Sequence, residues 1–353
     1  MSSNNSRYRR SLFLGLSISI LLLVVLLSQV QLKQSWHALT GLNLLSLLMP
    51  LVMTFASLTL RPWRWRAIFP RAVRPDFWHC FRVFAIGSMA NNVLPGRGGD
   101  LMRCFLITGS RSLSAAGLTV GTLAIEKILD GLALLVIVLI WCFFLSPPQW
   151  LVNVGQGASV ILTGGVAVIL LLRFRFDWCT GWIRWLFNLV RLPSLGEKIN
   201  GLLGKLVQGL AAVDSRRQMA NALFLTWVIW SGETILVWGL AAALYIPLSF
   251  SGAAVVSAIV GLGLMVPSAP GFIGTYEFFS ITALSLFGIE KEKALALSLL
   301  MHSWTFIMVS LLGLISLAIS GIRFSTLVDG RPQQQTSIAH VLNCVNPVIS
   351  DSE

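Results

Sequence analysis

The chain has 353 residues, of which 56% are hydrophobic and only 11% charged, and a formal net charge of +12. Soluble domains carry about 25% charged residues, so the composition excludes a water-soluble enzyme or binding module and leaves a polytopic membrane protein. The positive charge does not point to nucleic acid either. Of the 26 Lys and Arg, 22 lie in five clusters, at residues 7–10, 61–82, 97–111, 173–217 and 323–331, between apolar stretches as the positive-inside rule requires.

A membrane-crossing helix needs about 20 apolar residues. Residues 11–28 supply the first, behind a basic cytoplasmic N-terminus at 1–10; without an A-x-A-like site they read as an uncleaved anchor. Residues 42–60 return to Arg61-Pro62-Trp63-Arg64-Trp65-Arg66, where Trp and Arg together mark an interface. Residues 77–94 are apolar but have basic clusters at both ends. One crossing would leave a cluster outside, whereas a re-entrant hairpin turning at Leu94-Pro95-Gly96 keeps both inside.

Residues 113–145 are too long for one span and carry Glu126, Lys127 and Asp130 near their middle. The pattern predicts that the first part closes the hairpin and that 128–145 crosses outward. Ser146-Pro147-Pro148-Gln149 is an outer loop, 155–172 return, and 173–217 form one or two helices lying in the interface. Residues 222–244 cross next. Residues 252–286 then form a second re-entrant pair, broken at Pro267-Ser268-Ala269-Pro270-Gly271-Phe272-Ile273-Gly274, and 294–320 return.

The expected fold is an all-α polytopic membrane domain over residues 11–325 with a disordered cytoplasmic tail at 326–353. It has about six full crossings and two opposed re-entrant hairpins, inverted-repeat-like, about eight helical spans in all, with both termini cytoplasmic. The five cysteines, Cys80, Cys104, Cys142, Cys179 and Cys344, are scattered and read as small apolar residues, with neither disulfide nor metal site.

Paired interrupted segments in two halves of a membrane chain point to a transporter site near the midplane. In the first break, Asn91 and Asn92 precede Arg97 and Arg103, whose forked donors match phosphate, with Asp100 between them. Gly96, Gly98 and Gly99 allow a headgroup close to the backbone. The competing reading is a cytoplasmic loop whose arginines only set topology. Glu126 and Asp130 share one helical face and, with Lys127, must face inward if they lie in the bilayer; alternatively the helix starts there and the charges sit at the surface. In the second break Pro270, Gly271, Gly274 and Glu277 stand before a new helix, whose free N–H groups favour anions, and Glu277 is a candidate partner for Arg97 or Arg103. Glu233 is a further buried acid. His302 is expected to hydrogen-bond a neighbouring helix rather than hold a metal. Trp63, Trp65, Trp178, Trp182 and Trp185 suit interface belts.

At these motifs the chain resembles the lysylphosphatidylglycerol synthase transmembrane-region family of flippase-like membrane proteins. The family's Asn-Asn-x-x-Pro-x-[Arg/Gly]-x-Gly-[Glu/Asp]-x-x-Arg is matched by Asn91, Asn92, Pro95, Gly99, Asp100 and Arg103. Its Glu-[Arg/Lys]-x-x-Asp is matched by Glu126, Lys127 and Asp130, and its Pro-x-x-Pro-Gly-x-x-Gly-x-x-Glu by Pro267, Pro270, Gly271, Gly274 and Glu277. The usual Glu of the first motif is Asp100 here, one methylene shorter. In the best-understood relatives this region is fused to a cytoplasmic aminoacyl-transfer domain. This chain ends at residue 353, soon after its last apolar stretch, so the resemblance implies the membrane-transport half without that domain.

The function so implied is a flippase-like transporter that moves an anionic phospholipid or isoprenoid-linked lipid between leaflets of a bacterial inner membrane. Membrane lipids are its expected partners, with a homo-oligomer or an envelope-biosynthesis partner left open. No P-loop is found in the sequence and no cofactor is expected, so a substrate gradient or protons would drive movement. The alternatives are a membrane-embedded lipid-modifying transferase, against which stands the lack of an Asp-x-Asp pair or an activated nucleophile, and an accessory subunit of an envelope-lipid assembly.

Overall fold

Backbone within a bilayer must satisfy its hydrogen bonds internally, which favours helices in a chain this apolar. The computed structural model describes residues 41–94, 97–108, 113–144, 175–189, 215–265 and 269–320, with isolated positions between 149 and 204. Among the described residues there is no strand; there are nine α-helices and three short 3-10 helices, so the fold is all-α as expected.

In chain order the helices are α1 (Leu48–Ile68), α2 (Phe77–Val93), α3 (Gly98–Thr108), α4 (Leu113–Phe144), α5 (Phe176–Leu189), α6 (Arg216–Ala243), α7 (Phe250–Gly263), α8 (Thr275–Ser285) and α9 (Lys291–Ser320). Several begin where a polar side chain takes up free N–H groups. The Asp76 carboxylate accepts from Trp78 and His79 at the start of α2, Ser215 accepts from Gln218 before α6, and Ser249 accepts from Gly252 before α7. Among the described residues, three stretches are long and apolar enough to cross a membrane, Leu44–Ile68, Arg216–Ala243 and Lys291–Ser320, and α7 is a shorter apolar helix.

Helix α1 packs along α6 and against α2; α2 packs against α3 and α9; α7 lies against α4, α6 and α8. A core formed from α6 to α9 buries Leu240, Val256, Leu284 and Leu297. The outer faces carry exposed Phe55, Phe143, Phe224, Leu314 and Ile319, an apolar surface suited to lipid.

Three features differ from the sequence reading. First, α1 does not stop before Arg61 but runs through Pro62 to Ile68. Proline removes one helical hydrogen bond; the helix continues because Arg64 and Trp65 beyond it are anchored in the bundle, both fully buried. Second, α4 is a single helix of 32 residues, about 48 Å long at 1.5 Å per residue, and is not split near Ile128. Its charged residues have partners on other helices, so no break is needed to bring them to water. Third, a separate helix, α3, follows the first break before α4 begins, and its first turn carries Asp100, where a negative charge suits the helix dipole.

The expected interface segment contains α5, with Trp178, Trp182 and Trp185 exposed on one face. Residues 11–28, all but isolated positions of 155–172, and the tail, along with Pro95, Gly96, Pro267 and Ser268 of the breaks, lie outside the described residues.

Candidate functional site

Charged residues in an apolar bundle must find one another, and α1, α3, α4 and α6 bring theirs together. Arg103 on α3 forms a fork to Glu126 on α4, with Nη1 donating to Oε1 at 3.0 Å and Nη2 to Oε2 at 2.9 Å. Its guanidinium lies over the rings of Trp65, 4.2 Å from the centroid, and Phe84, 4.9 Å away, leaving Arg103 only 2% exposed. One turn further along α4, Asp130 accepts a second fork from Arg64 at 2.6 and 3.0 Å. It also accepts from the Trp230 indole at 3.0 Å, while Arg64 donates to Thr226 Oγ1. Toward the N-terminus of α1 on the same face, Arg61 donates to Glu233 at 2.8 Å and Ser57 donates to the same oxygen. Bidentate, hydrogen-bonded geometry is what lets ion pairs persist away from water.

Asp100 is less enclosed. Lys127 Nζ lies 3.2 Å from its Oδ2 and Arg103 Nη1 lies 3.6 Å from Oδ1, and Lys127 is more exposed than either arginine of the buried forks. A one-methylene-shorter acid thus bridges a buried arginine and an accessible lysine.

The first break is built for close approach. A side chain at Gly99 would collide with the Gly87 carbonyl and with Asn91, so α2 and α3 meet through glycine. Arg97 takes a left-handed conformation at φ 58°, which aims its guanidinium across the molecule. Nη2 donates to the carbonyl of Leu264, the residue that ends α7, at 2.7 Å; a cation there complements the negative end of the helix. Asn92 Nδ2 donates to Ser310 Oγ on α9 at 2.9 Å. The Asn91 Oδ1 and Arg97 Nε atoms are buried without a protein partner among the described residues.

The second break turns at Gly271, φ 68°, and Gly274, φ 82°, with Phe272 between them at φ 59° and Pro270 opening its 3-10 turn. Glu277 folds back over it. Its Oε2 accepts from the Gly274 N–H at 2.7 Å, the carboxylate half of a capping box, and its Oε1 meets His302 Nδ1 of α9 at 2.5 Å. His302 Nε2 reaches the Gly271 carbonyl at 2.7 Å. Tyr276 stacks on the imidazole with centroids 4.5 Å apart. So His302 does bond a neighbouring helix, but Glu277 pairs with it and not with Arg97 or Arg103, because those arginines are already engaged by Leu264 and Glu126.

The two breaks touch. The Asn92 carbonyl lies against Gly271, 3.3 Å from where a side-chain carbon would stand, and Arg97 bonds the end of α7. Of the twelve candidate residues, Asn92, Arg97, Pro270, Gly271, Gly274 and Glu277 line this junction; Asp100, Arg103, Glu126 and Lys127 form the adjoining ion pairs; Asp130 lies one turn beyond; Asn91 holds the α2–α3 contact. Sequence reasoning missed Arg61 and Arg64, taken for topology signals. Their spacing with Ser57, at 57, 61 and 64, puts all three on one helical face, and that signal was available. A cavity of about 510 Å3 lined by Asp177, Arg184, Glu197 and Asn200 along α5 shares no residue with the junction.

The family model described as the lysylphosphatidylglycerol synthase TM region matches residues 12–313, which covers both breaks and all the ion pairs. No curated protein matches the chain.

Proposed function

The chain belongs to the lysylphosphatidylglycerol synthase TM-region family, and from that membership and the joined breaks we infer that it moves a lipid with an anionic headgroup between leaflets, as a transporter and not an enzyme. It is an integral membrane protein. The lipid is a phospholipid or an isoprenoid-linked lipid of a bacterial inner membrane. Both termini are cytoplasmic, and about six crossings surround the two re-entrant hairpins.

The observation that carries this reading is the bond from Arg97 in the first break to the Leu264 carbonyl in the second. Two interrupted helix pairs joined at one charged contact form the element whose opening exposes a headgroup site to one side and then the other. The roles of the cations follow from their burial. Arg103 and Arg64 are spent on Glu126 and Asp130, and releasing either would strand a buried carboxylate. Arg97 and Lys127 are the accessible pair. A phosphate displaces the neutral Leu264 carbonyl from Arg97 and competes with the Asp100 carboxylate for Lys127.

Leaflet-resolved movement of labelled lipids in proteoliposomes tests this. Wild type is expected to move one class of anionic or isoprenoid-linked lipid, and Arg97→Ala and Lys127→Ala each to slow it about tenfold, the worth of one charged hydrogen bond. Folded protein that moves no lipid in the panel overturns the reading in favour of a transferase or an accessory subunit.

A further inference from the structure

We propose that the His302–Glu277 pair is a proton-binding latch on the second break: the break closes when the pair holds one shared proton and opens when that proton leaves. The basis is hydrogen-bond bookkeeping at the imidazole. A backbone carbonyl can only accept, so His302 Nε2, 2.7 Å from the Gly271 oxygen, must carry a hydrogen. In a neutral imidazole the other nitrogen, Nδ1, is then a bare acceptor. Yet Nδ1 faces Glu277 Oε1 at 2.5 Å, and an ionised carboxylate is an acceptor too. The observed contacts are all satisfied only when one additional proton lies between Nδ1 and Oε1, whichever of the two atoms holds it.

The other contacts of the pair tie that proton to the backbone of the break. Glu277 Oε2 accepts from the Gly274 N–H and His302 holds Gly271, so both positive-φ glycines of the turn hang on this one cluster. Loss of the proton sets two acceptors against each other, and either the Gly271 or the Glu277 contact must break. The side chain of His302 is 13% exposed and that of Glu277 7%, enough for a proton to arrive without the site being open to solvent.

Few other charges bear on the pair. Helix α8 contributes Tyr276, stacked on the ring. Helix α6 contributes Glu233, engaged with Arg61 of α1. Helix α2 offers the amides Asn91 and Asn92, and past its end Arg97 is bound to Leu264. Among the described residues, Glu277 is the carboxylate paired with His302, so the pair's own proton decides its state. In the transporter reading, on which this role rests, closing and opening the second break by one proton couples lipid movement to a proton gradient.

The sign is fixed by the geometry: the break is closed at low pH and released as pH rises through the pair's titration. Glu277→Gln discriminates, because its amide N–H can donate to neutral Nδ1 while its oxygen still accepts from Gly274, so the latch stays shut without a proton. Amide exchange of residues 271–278 in the purified full chain, with exchange times scaled for the chemical rate at each pH, reads the state of the break. Wild type is expected to lose protection about tenfold on going from low to high pH, the loss of one strong hydrogen bond. Glu277→Gln is expected to hold at high pH the protection that wild type loses there. A flat wild-type profile overturns the latch, and so does a Glu277→Gln profile with the wild-type pH dependence. The wild-type series decides alone if the variant does not fold. The exchange result is independent of lipid movement: pH-dependent protection in a protein that moves no lipid leaves the latch standing and removes the transporter reading, whereas a flat profile in an active protein does the reverse.

Discussion

The two breaks solve the same problem with different chemistry. Both interrupt an apolar helix pair with glycine and a residue at positive φ. The first, between α2 and α3, is held by cations: Arg97 on Leu264, Arg103 on Glu126, and Lys127 on Asp100. The second, between α7 and α8, contains no Lys or Arg. It is held by a carboxylate that caps its own helix and by one histidine from α9. A cation-rich break suits the proposed anion, and a break held by a carboxylate–imidazole pair suits the proposed proton. On these two proposals, binding and gating divide according to which residues each half places at its interruption.

The largest expected effect lies in the first half. Glu126→Ala strips buried Arg103 of its bidentate partner and leaves it only the 3.6 Å contact with Asp100, which costs about 3 kcal/mol, seen as a steep fall in detergent unfolding temperature or in folded yield. Replacing both partners, with Arg103→Met and Glu126→Leu together, should recover most of that stability. A Glu126→Ala variant with wild-type stability would mean that the fork is not holding α3 to α4. Next comes Gly99→Ala, where the added methyl meets the Gly87 carbonyl and Asn91 and should cost about 1–3 kcal/mol by forcing α2 and α3 apart. The matching change in the second half, Gly271→Ala, places a side chain at φ 68° and should cost about 1–2 kcal/mol. If Gly271→Ala proves the worse of the two, the second break is the more rigid and the comparison reverses. The smallest effect belongs to Lys293→Ala, which removes a pair with Glu290 whose side chains are 53% and 67% exposed; stability should stay within about 0.5 kcal/mol and lipid movement should be unchanged.

The breaks were legible in the sequence because proline and glycine leave few backbone options. The face shared by Glu126 and Asp130 was legible from their spacing of four. Their partners were not. Arg61 and Arg64 sit in a run of Arg, Trp and Pro that has the composition of a membrane interface, and composition does not say that the helix survives Pro62. Trp63 is exposed as an interface residue should be, while Trp65, two positions on, is fully buried with its indole on Thr122. The split expected in α4 came from its length and from the charges near its middle; once each charge has a partner on another helix, the helix runs on unbroken. For Glu277, the sequence offered two arginines as plausible mates, and only the packing of α9 against the second break identifies His302.

The most direct test of the link between the breaks is leaflet-resolved lipid movement in proteoliposomes of Arg97→Ala, measured beside wild type and Lys293→Ala at equal folded protein. About a tenfold loss confined to Arg97→Ala is the expected result. Equal movement in all three would contradict the claim that the Arg97 contact joins the two breaks into one lipid path.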